Sequence, residues 1–188
     1  GRDQGRDRVF IVHRLDRGTS GLLVVARTEE AHERLSAMIA AHDIEREDAA
    51  LVAGTVPEAT GRIEAAIGRD PHRPTLQAVT PDGRPAATDY EVEDRYVDPE
   101  PATLLAVRLE TGRTHQIRVH MAALKHPCVG DITYGADPSL GQRVGLERQW
   151  LHAVKLGFEH PDTGEYVEYE STYPDDLADA LEVIRDAH

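Results

Sequence analysis

A carboxylate stands between two arginines in the first part of the chain, in the order Arg14, Asp16, Arg17. Neighbouring guanidinium groups favour the ionised form of a carboxyl, so Asp16 can act as a nucleophile or as a strong electrostatic partner. Charged turns are common, however, and local chemistry alone favours a polar surface turn with a salt bridge over a reactive site.

A second run of residues with reactive or binding potential follows the turn at Gly112. Thr114 is expected to cap a helix there, and the buried face of this helix would carry Ile117 and Met121. Arg118 then projects from a different face, close to the N-terminus of the helix. A guanidinium group in this position is available to an anion or to a carboxylate from elsewhere in the chain.

The elements that must position these side chains can be predicted from the apolar pattern. Two apolar runs, residues 9–12 and 22–26, flank the Asp16 loop, and each is predicted to be a buried strand. Thr28 is expected to cap a helix that ends near residue 42, and a second amphipathic helix is expected from Asp175 onward. Further strands are predicted near residues 49–54, 61–68, 75–79, 86–95, 104–110, 150–158 and 166–169, with a hairpin turn at 80–83 and a polar connection at 136–149.

Strands outnumber helices in this prediction, and short turns join them. The expected fold class is therefore α+β, with a mainly antiparallel mixed β-sheet and flanking helices. A chain of 188 residues can bury a substantial core and is most simply one domain, residues 1–188. No apolar run is long enough to span a membrane, and no secretory leader is visible in these residues.

Charge and composition narrow the possible ligands. The net charge of −13 argues mildly against a nucleic-acid partner, but arginines cluster at residues 14–17 and 113–118, which allows a basic cleft on an acidic protein. Cys128 is the single cysteine, so an internal disulfide and a cysteine-cluster zinc site are excluded. His115 and His120 lack the i, i+4 spacing of helical zinc ligands, and no metal site is expected.

Three separated stretches together resemble the signatures of the RluA-type pseudouridine synthases. These are residues 13–23, 112–120 and 130–135, and residues 151–153 with 160–161 continue the resemblance. The stretches occur in this order over nearly the whole chain. The resemblance implies the pseudouridine synthase catalytic fold and an enzyme that isomerises uridine to pseudouridine in structured RNA.

The resemblance also implies roles for individual residues. It makes Asp16 the nucleophile, pairs Arg118 with it, and assigns Arg14 to displacement of the target base. Arg17 and Arg113 become candidates to hold flanking phosphates. His115 and Gln116, which belong to the second motif, are further candidate RNA-binding residues.

The family needs no metal and no organic cofactor, so none is expected here. The implied partner is RNA, with no membrane and no obligatory protein partner, and the chain is expected to be a cytoplasmic monomer. It is expected to lack the strand pair and the accessory RNA-binding domain that family members usually carry before the first motif. Ribosomal or transfer RNA as substrate, and attack of Asp16 on the sugar or on the base, remain open.

One position departs from the family pattern. Aligned on residues 50–54, Asp48 stands where the family has a tyrosine that stacks on the target uracil. An aspartate cannot stack, and it adds a negative charge near the nucleophile. This departure predicts weak or absent activity that Asp48→Tyr would raise, and it keeps an inactive RNA-binding member of the fold as the alternative. A protein–protein scaffold would be favoured if an acidic segment covered the arginine cleft.

Overall fold

The computed structural model describes residues 8–186, in which a central sheet carries helices on both faces. The helices are α1 (Glu29–Ala40), α2 (Gln116–Ala123), α3 (Pro138–Arg143) and α4 (Asp175–Asp186). The strands are β1 (Phe10–Ile11), β2 (Ser20–Gly21), β3 (Val25–Ala26), β4 (Glu45–Ala53), β5 (Thr60–Glu64), β6 (Ile67–Arg69), β7 (Gln77–Val79), β8 (Ala87–Tyr96), β9 (Ala102–Leu109), β10 (Leu151–Glu159) and β11 (Tyr166–Glu170).

The central sheet has seven strands. Six of them follow the order β11-β10-β4-β9-β8-β5 with antiparallel neighbours, and β2 joins β10 in parallel. The short strands β1 and β3 form a separate antiparallel pair, as do β6 and β7. The predicted α+β class with a mainly antiparallel mixed sheet is therefore confirmed.

Each face of the central sheet buries its own core. On one face α4 packs Leu177 and Leu181 against Leu51 and Trp150. On the other face α2 packs against a second cluster, whose buried members include Ala50, Val52, Val107, Ile117, Met121 and Leu151. Apolar burial on both sides of the same strands holds β4, β9 and β10 in place as the rigid centre of the molecule.

Strand β4 distributes its side chains between these two cores by alternation. Ala50 and Val52 face α2, whereas Leu51 faces α4. The pairing of β4 with β9 runs without a bulge, and it sets Asp48 opposite Val107, which belongs to the α2 core. Asp48 therefore lies on the α2 face of the sheet, beyond the edge of its apolar core.

The first helix follows its predicted signals. The Thr28 side chain accepts a hydrogen bond from the Ala31 amide at 3.1 Å and caps α1, as predicted. Leu35 is buried in a third cluster with Ala26 and Phe158, so α1 covers the β1–β3 pair and the nearby end of β10.

The two apolar runs beside the Asp16 loop differ from the prediction. They form strands of only two residues each, and Ile11 and Val25 remain 54% and 40% exposed. Only Ala26 is buried in this pair, because α1 covers one side of a two-stranded ribbon and the alternate side chains face water.

Three local predictions also need correction. The turn at residues 80–83 forms, but β7 pairs with β6 and β8 with β5, so the two strands beside the turn are not partners. The polar connection at 136–149 contains α3, which Asp137 caps through the Ser139 amide at 2.8 Å. Helix α2 is not capped by Thr114: its N-cap is His115, in the left-handed region with φ 57° and without a side-chain cap.

Within residues 8–186, no helix combines the length and the apolar character needed to cross a bilayer.

Candidate active site

The loop that carries Asp16 lies between β1 and β2, and the C-terminal half of the chain holds it in place. The Thr19 amide donates to the Asp16 carbonyl at 3.0 Å, which closes a tight turn with Gly18 at φ 83°. Gln149 Nε2 donates to the Arg17 carbonyl at 2.8 Å. These bonds use backbone groups of the loop, so its shape is fixed without engaging the half-buried Asp16 carboxylate.

The far end of the loop is fastened to β10. Gly21 adopts φ 119°, and a Cβ at this position would lie 2.3 Å from the Ala153 carbonyl oxygen, so only glycine fits here. The Leu22 amide donates to that same oxygen at 3.0 Å, and a hydrogen bond of 2.7 Å joins Ser20 Oγ to His152 Nδ1. The glycine is thus required for a close contact between the loop and the central sheet.

His13 fixes the near end of the loop. Its Nε2 accepts a hydrogen bond from the Val24 amide at 3.0 Å. Burial, with a further contribution from the positive charge of Arg46, lowers the pKa of His13 to about 4. His13 is therefore neutral near neutral pH and serves as an acceptor rather than as a cation.

Arg118 forms a buried two-point ion pair with Asp131. Nε and Nη2 of Arg118 donate to the two carboxylate oxygens at 2.8 and 2.9 Å, and the Arg118 guanidinium carbon lies 4.9 Å from the centre of the Tyr134 ring. Burial opposes ionisation, but the hydrogen bonds to Asp131 and the nearby charges outweigh it and raise the pKa of Arg118. The guanidinium is thus a fixed positive charge.

The expected direct pairing of Arg118 with Asp16 is not what the structure shows. Among the described residues, no nitrogen of Arg118 lies within 4.0 Å of an Asp16 carboxylate oxygen. The Asp16 charge nevertheless acts on Arg118. Asp131 forms this two-point ion pair, the Arg118–Asp131 fork, because its carboxylate is buried beside α2 and matches the planar guanidinium geometry. Asp131 belongs to the third family-like stretch, and this was the sequence signal that could have identified it as a site residue.

A second polar pair lies next to this guanidinium. The Tyr134 hydroxyl accepts from the Gln77 amide at 3.1 Å, so its own proton is free to donate to His115 Nδ1 at 2.6 Å. Burial is the main cause that lowers the pKa of His115, although the Asp16 and Asp131 carboxylates oppose it. His115 is thus a half-buried neutral group that leaves Nε2 for another partner.

Gln116, expected to bind RNA, has its amide occupied within the protein. Its Oε1 accepts from Thr111 Oγ1 at 2.7 Å and from the Arg113 amide at 3.0 Å, and its Nε2 donates to the Ala87 carbonyl and to Thr88 Oγ1, both at 2.9 Å. The side chain is 3% exposed. Gln116 thus ties the start of α2 to β8, a structural role that leaves no free amide group for RNA.

The predicted arginines have different surroundings. Arg113 donates through Nε to the Pro85 carbonyl at 2.8 Å. Arg14 and Arg17 are exposed, and within residues 8–186 neither side chain has a hydrogen bond or ion pair. Their charges are available to solvent and to an anionic ligand.

The Asp16 loop, β4, β10 and the segment 109–117 line a cleft of about 760 Å³, and its lining does not include Arg17, His115 or Arg118. Its wall includes Asp16 from the loop and Asp48 from β4, while Ile117 and Leu151 contribute apolar surface. Its charged lining residues are Arg14, Arg46, Arg113 and Lys155 on the positive side and Asp16, Asp48 and Glu110 on the negative side. This lining is not an acidic cover over the arginines, so the condition that would favour a scaffold protein is not met.

Asp48 and Arg46 were not foreseen as a coupled pair. Burial raises the pKa of Asp48 to about 7, Arg46 opposes this rise, and the Asp16 charge reinforces it. Burial lowers the pKa of Arg46, and within the described part of the chain its buried Nε has no hydrogen-bond partner. Arg46 Nη2 would lie 3.4 Å from a Cβ at Gly112, so the guanidinium extends along the wall of the cleft.

No group of three or more potential metal ligands is found in residues 8–186.

The known proteins that this chain resembles, as reported below, are all described as RNA pseudouridine synthases. A family model described as RNA pseudouridylate synthase matches residues 1–123. An uncharacterized RNA pseudouridine synthase of Mycobacterium bovis is 49% identical over 179 residues, which are 95% of this chain and 57% of that protein. The ribosomal large subunit pseudouridine synthase D of Vibrio cholerae is 45% identical over 188 residues, again 95% of this chain and 57% of the relative.

Solved structures agree with the sequence relatives. The human protein RNA Pseudouridylate Synthase Domain Containing 1 has a TM-score of 0.77 and 31% identity, covering 89% of this chain and 70% of that one. The human Domain Containing 4 protein, at 19% identity, matches the fold with a TM-score of 0.75 over 94% of this chain and 76% of its own. The present chain spans 57% of the length of the two bacterial relatives.

Proposed function

Because this chain belongs to the RNA pseudouridylate synthase family, we propose that it isomerises uridine to pseudouridine in structured RNA with Asp16 as nucleophile. The observation that carries the proposal is the fixed loop, which presents a carboxylate with no ion-pair partner among residues 8–186 in a cleft of about 760 Å³. The volume is sufficient for a base extruded from its stack.

The reaction exchanges one bond to the sugar for another. The bond between N1 of uracil and C1′ of ribose breaks, the base turns, and C5 bonds to C1′. An ionised Asp16 can take part by attack on C1′ or on C6 of the base. In either case the loop must keep its shape while the base turns, and the contacts from Gln149 and Ala153 support this requirement.

Arg118 is proposed to act as a fixed electrostatic partner rather than through a direct contact with the free nucleophile. Its charge is available to stabilise negative charge in the site, and the two hydrogen bonds to Asp131 hold the guanidinium in place. Within residues 8–186, Nη1 of Arg118 has no hydrogen-bond partner and is available to substrate or to Asp16 in the complex.

The RNA-binding proposal rests on the exposed cations of the Asp16 loop. Arg14, which lines the cleft, and Arg17, which does not, carry no intramolecular partner among the described residues, and they are proposed to hold phosphates or to fill the space left by the extruded base. Arg113, which lines the cleft, and His115, which lies outside its lining, are also proposed to contact RNA. Relatives named for the ribosomal large subunit make its RNA the first substrate to test, with transfer RNA as the second. A monomer acting in the cytoplasm is part of the same proposal.

The test uses transcripts of large-subunit ribosomal RNA and of transfer RNA, with pseudouridine detected by chemical labelling and mass spectrometry. The unmodified chain is expected to form pseudouridine, and Asp16→Asn is expected to bind RNA without forming it. Asp43→Asn makes the same chemical change at an exposed position and serves as the control. Product formation by the Asp16→Asn variant would contradict the assignment of the nucleophile.

The second candidate is an inactive RNA-binding member of the fold, and the observation that favours it is Asp48 in place of the family tyrosine. It predicts that the unmodified chain binds the transcripts without modifying them and that Asp48→Tyr introduces activity. The same assay separates the two functions.

A further inference from the structure

Pseudouridine formation requires a proton acceptor at C5 of the base in addition to the nucleophile. When C5 of uracil bonds to C1′, that carbon still carries its hydrogen, which must leave before the ring regains its double bond. At that stage Asp16 is either still bonded to C6 or has just been displaced from C1′ by C5. The inference below rests on the proposed function, and it concerns which other group in the cleft takes this proton.

Most titratable groups of the cleft have another role or lie outside it. His13 accepts from the Val24 amide, Lys155 is paired with Glu168 at 3.2 Å, and the Glu110 carboxylate is bound by Arg62. His42 is exposed at the rim.

Asp48 is the remaining titratable group of the cleft for which no such role has been described. Within residues 8–186 its side chain has no hydrogen bond and no ion pair within 4.0 Å. Its main-chain partners are Val107 on β9 and Ala153 on β10. The loop that holds Asp16 is fastened to β10 at this same residue, Ala153. The two carboxylates therefore belong to one wall of the cleft, close enough for the charge of Asp16 to raise the pKa of Asp48.

We propose that the Asp48 carboxylate is the base that removes the C5 proton after the new carbon–carbon bond has formed. The C5–H bond breaks and its electron pair restores the C5–C6 double bond. If Asp16 attacked C1′, the pair of the C6–N1 double bond moves to N1; if it attacked C6, the bond from C6 to the Asp16 oxygen breaks and its pair returns to the carboxylate. N1 takes a proton from water or from the newly protonated Asp48. The step needs no oxidant or co-reactant, and the product remains an isomer of the substrate.

The surroundings of Asp48 suit a group that both takes and releases a proton. Burial disfavours the carboxylate, as do the charges of Asp16 and Glu47, whereas Arg46 from its own strand favours it. Lys155, which also lines the cleft, is paired with Glu168, and His13 is neutral. Arg108 of β9 is occupied by Glu47 at 3.2 Å. The resulting pKa of about 7 is close to the working pH at which a general base is most effective.

The experiment compares single-turnover rates of the unmodified chain, Asp48→Asn and Asp48→Glu on the transcripts described above, with hydrogen or deuterium at C5 of uridine. Asp48→Asn is expected to slow product formation by about 10²–10⁴-fold, the usual contribution of a general base. Proton removal then limits the rate, so a primary deuterium isotope effect appears or increases. Asp48→Glu is expected to restore part of the rate. Between pH 6 and 8 the unmodified chain is expected to speed up through the pKa of about 7, and Asp48→Asn to lose this rise.

Each outcome bears on the proposal. Thermal denaturation and RNA binding of Asp48→Asn verify that it is folded, and Asp43→Asn is the matched control for the loss of an acidic group. Asp48→Asn at the unmodified rate, or slowed without a change in isotope effect, overturns the role of Asp48 while leaving the synthase function standing. An unmodified chain that forms no pseudouridine on either transcript overturns the function itself, and activity gained only by Asp48→Tyr then identifies the inactive member.

Discussion

Asp48→Asn is expected to stabilise the folded protein, and to do so more strongly as the pH rises. Burial raises the pKa of Asp48 from 3.8 to about 7, so the folded chain holds this proton more tightly than the unfolded chain does. Below the unfolded pKa the carboxyl is neutral in both states, and it carries no penalty. As the pH rises through the window between the two values, folding has to retain a proton that the unfolded chain releases, and stability falls.

The size of this change in the free energy of unfolding follows from the shift in the pKa of Asp48. At about 1.4 kcal/mol per pKa unit, the full penalty above pH 7 is about 4 kcal/mol, of which about 2.6 kcal/mol develops between pH 5 and pH 8. Water that reaches the half-buried carboxyl screens part of this cost. We therefore expect Asp48→Asn to gain at most about 2.6 kcal/mol in the free energy of unfolding between these two pH values, relative to the unmodified chain.

Urea denaturation of both proteins at pH 5 and pH 8 measures this difference directly. The comparison cancels the titration of the other groups, and Asp43→Asn reports the effect of removing an exposed carboxylate. An equal stability difference at the two pH values, or a larger one at pH 5, would refute the assignment of a raised pKa to Asp48.

Three further perturbations test other parts of the site. Asp131→Ala leaves Arg118 as a buried charge without its partner and is expected to cost about 3–5 kcal/mol in unfolding free energy; a loss below about 1 kcal/mol would show that the fork is not maintained in solution. Gly21→Ala is expected to cost about 2 kcal/mol or more and to reduce pseudouridine formation, because its Cβ collides with the Ala153 carbonyl; full activity and unchanged denaturation would contradict the close contact. Arg14→Ala is expected to weaken RNA binding and to reduce the slope of log affinity against log salt by about one, and an unchanged slope in binding titrations would exclude a phosphate contact.

The elements that could be predicted are those with local signals. The cap at Thr28 and the apolar runs of β4, β9 and β10 each specify an element within a few residues. The Asp16 loop could also be identified, because its charges and glycines are adjacent in the sequence.

The features that could not be predicted depend on distant partners. The Arg118–Asp131 fork joins α2 to a loop that follows it, and no periodicity encodes which carboxylate occupies a guanidinium. The amide of Gln116 is likewise satisfied by β8, although its place in a charged motif suggested a ligand contact. The exposure of β1 and β3 follows from their separate pairing, which hydrophobic content alone does not reveal.

Arg148 connects the two ends of the described chain at the reactive loop. Its Nη1 donates to the Gly18 carbonyl at 2.6 Å, while Nε and Nη2 bind the Asp176 carboxylate at 2.7 and 3.0 Å. The loop is made before α4 during synthesis, so this support becomes available only after α4 has left the ribosome and docked. Until then the shape of the Asp16 loop depends on the contacts that Gln149 and β10 supply.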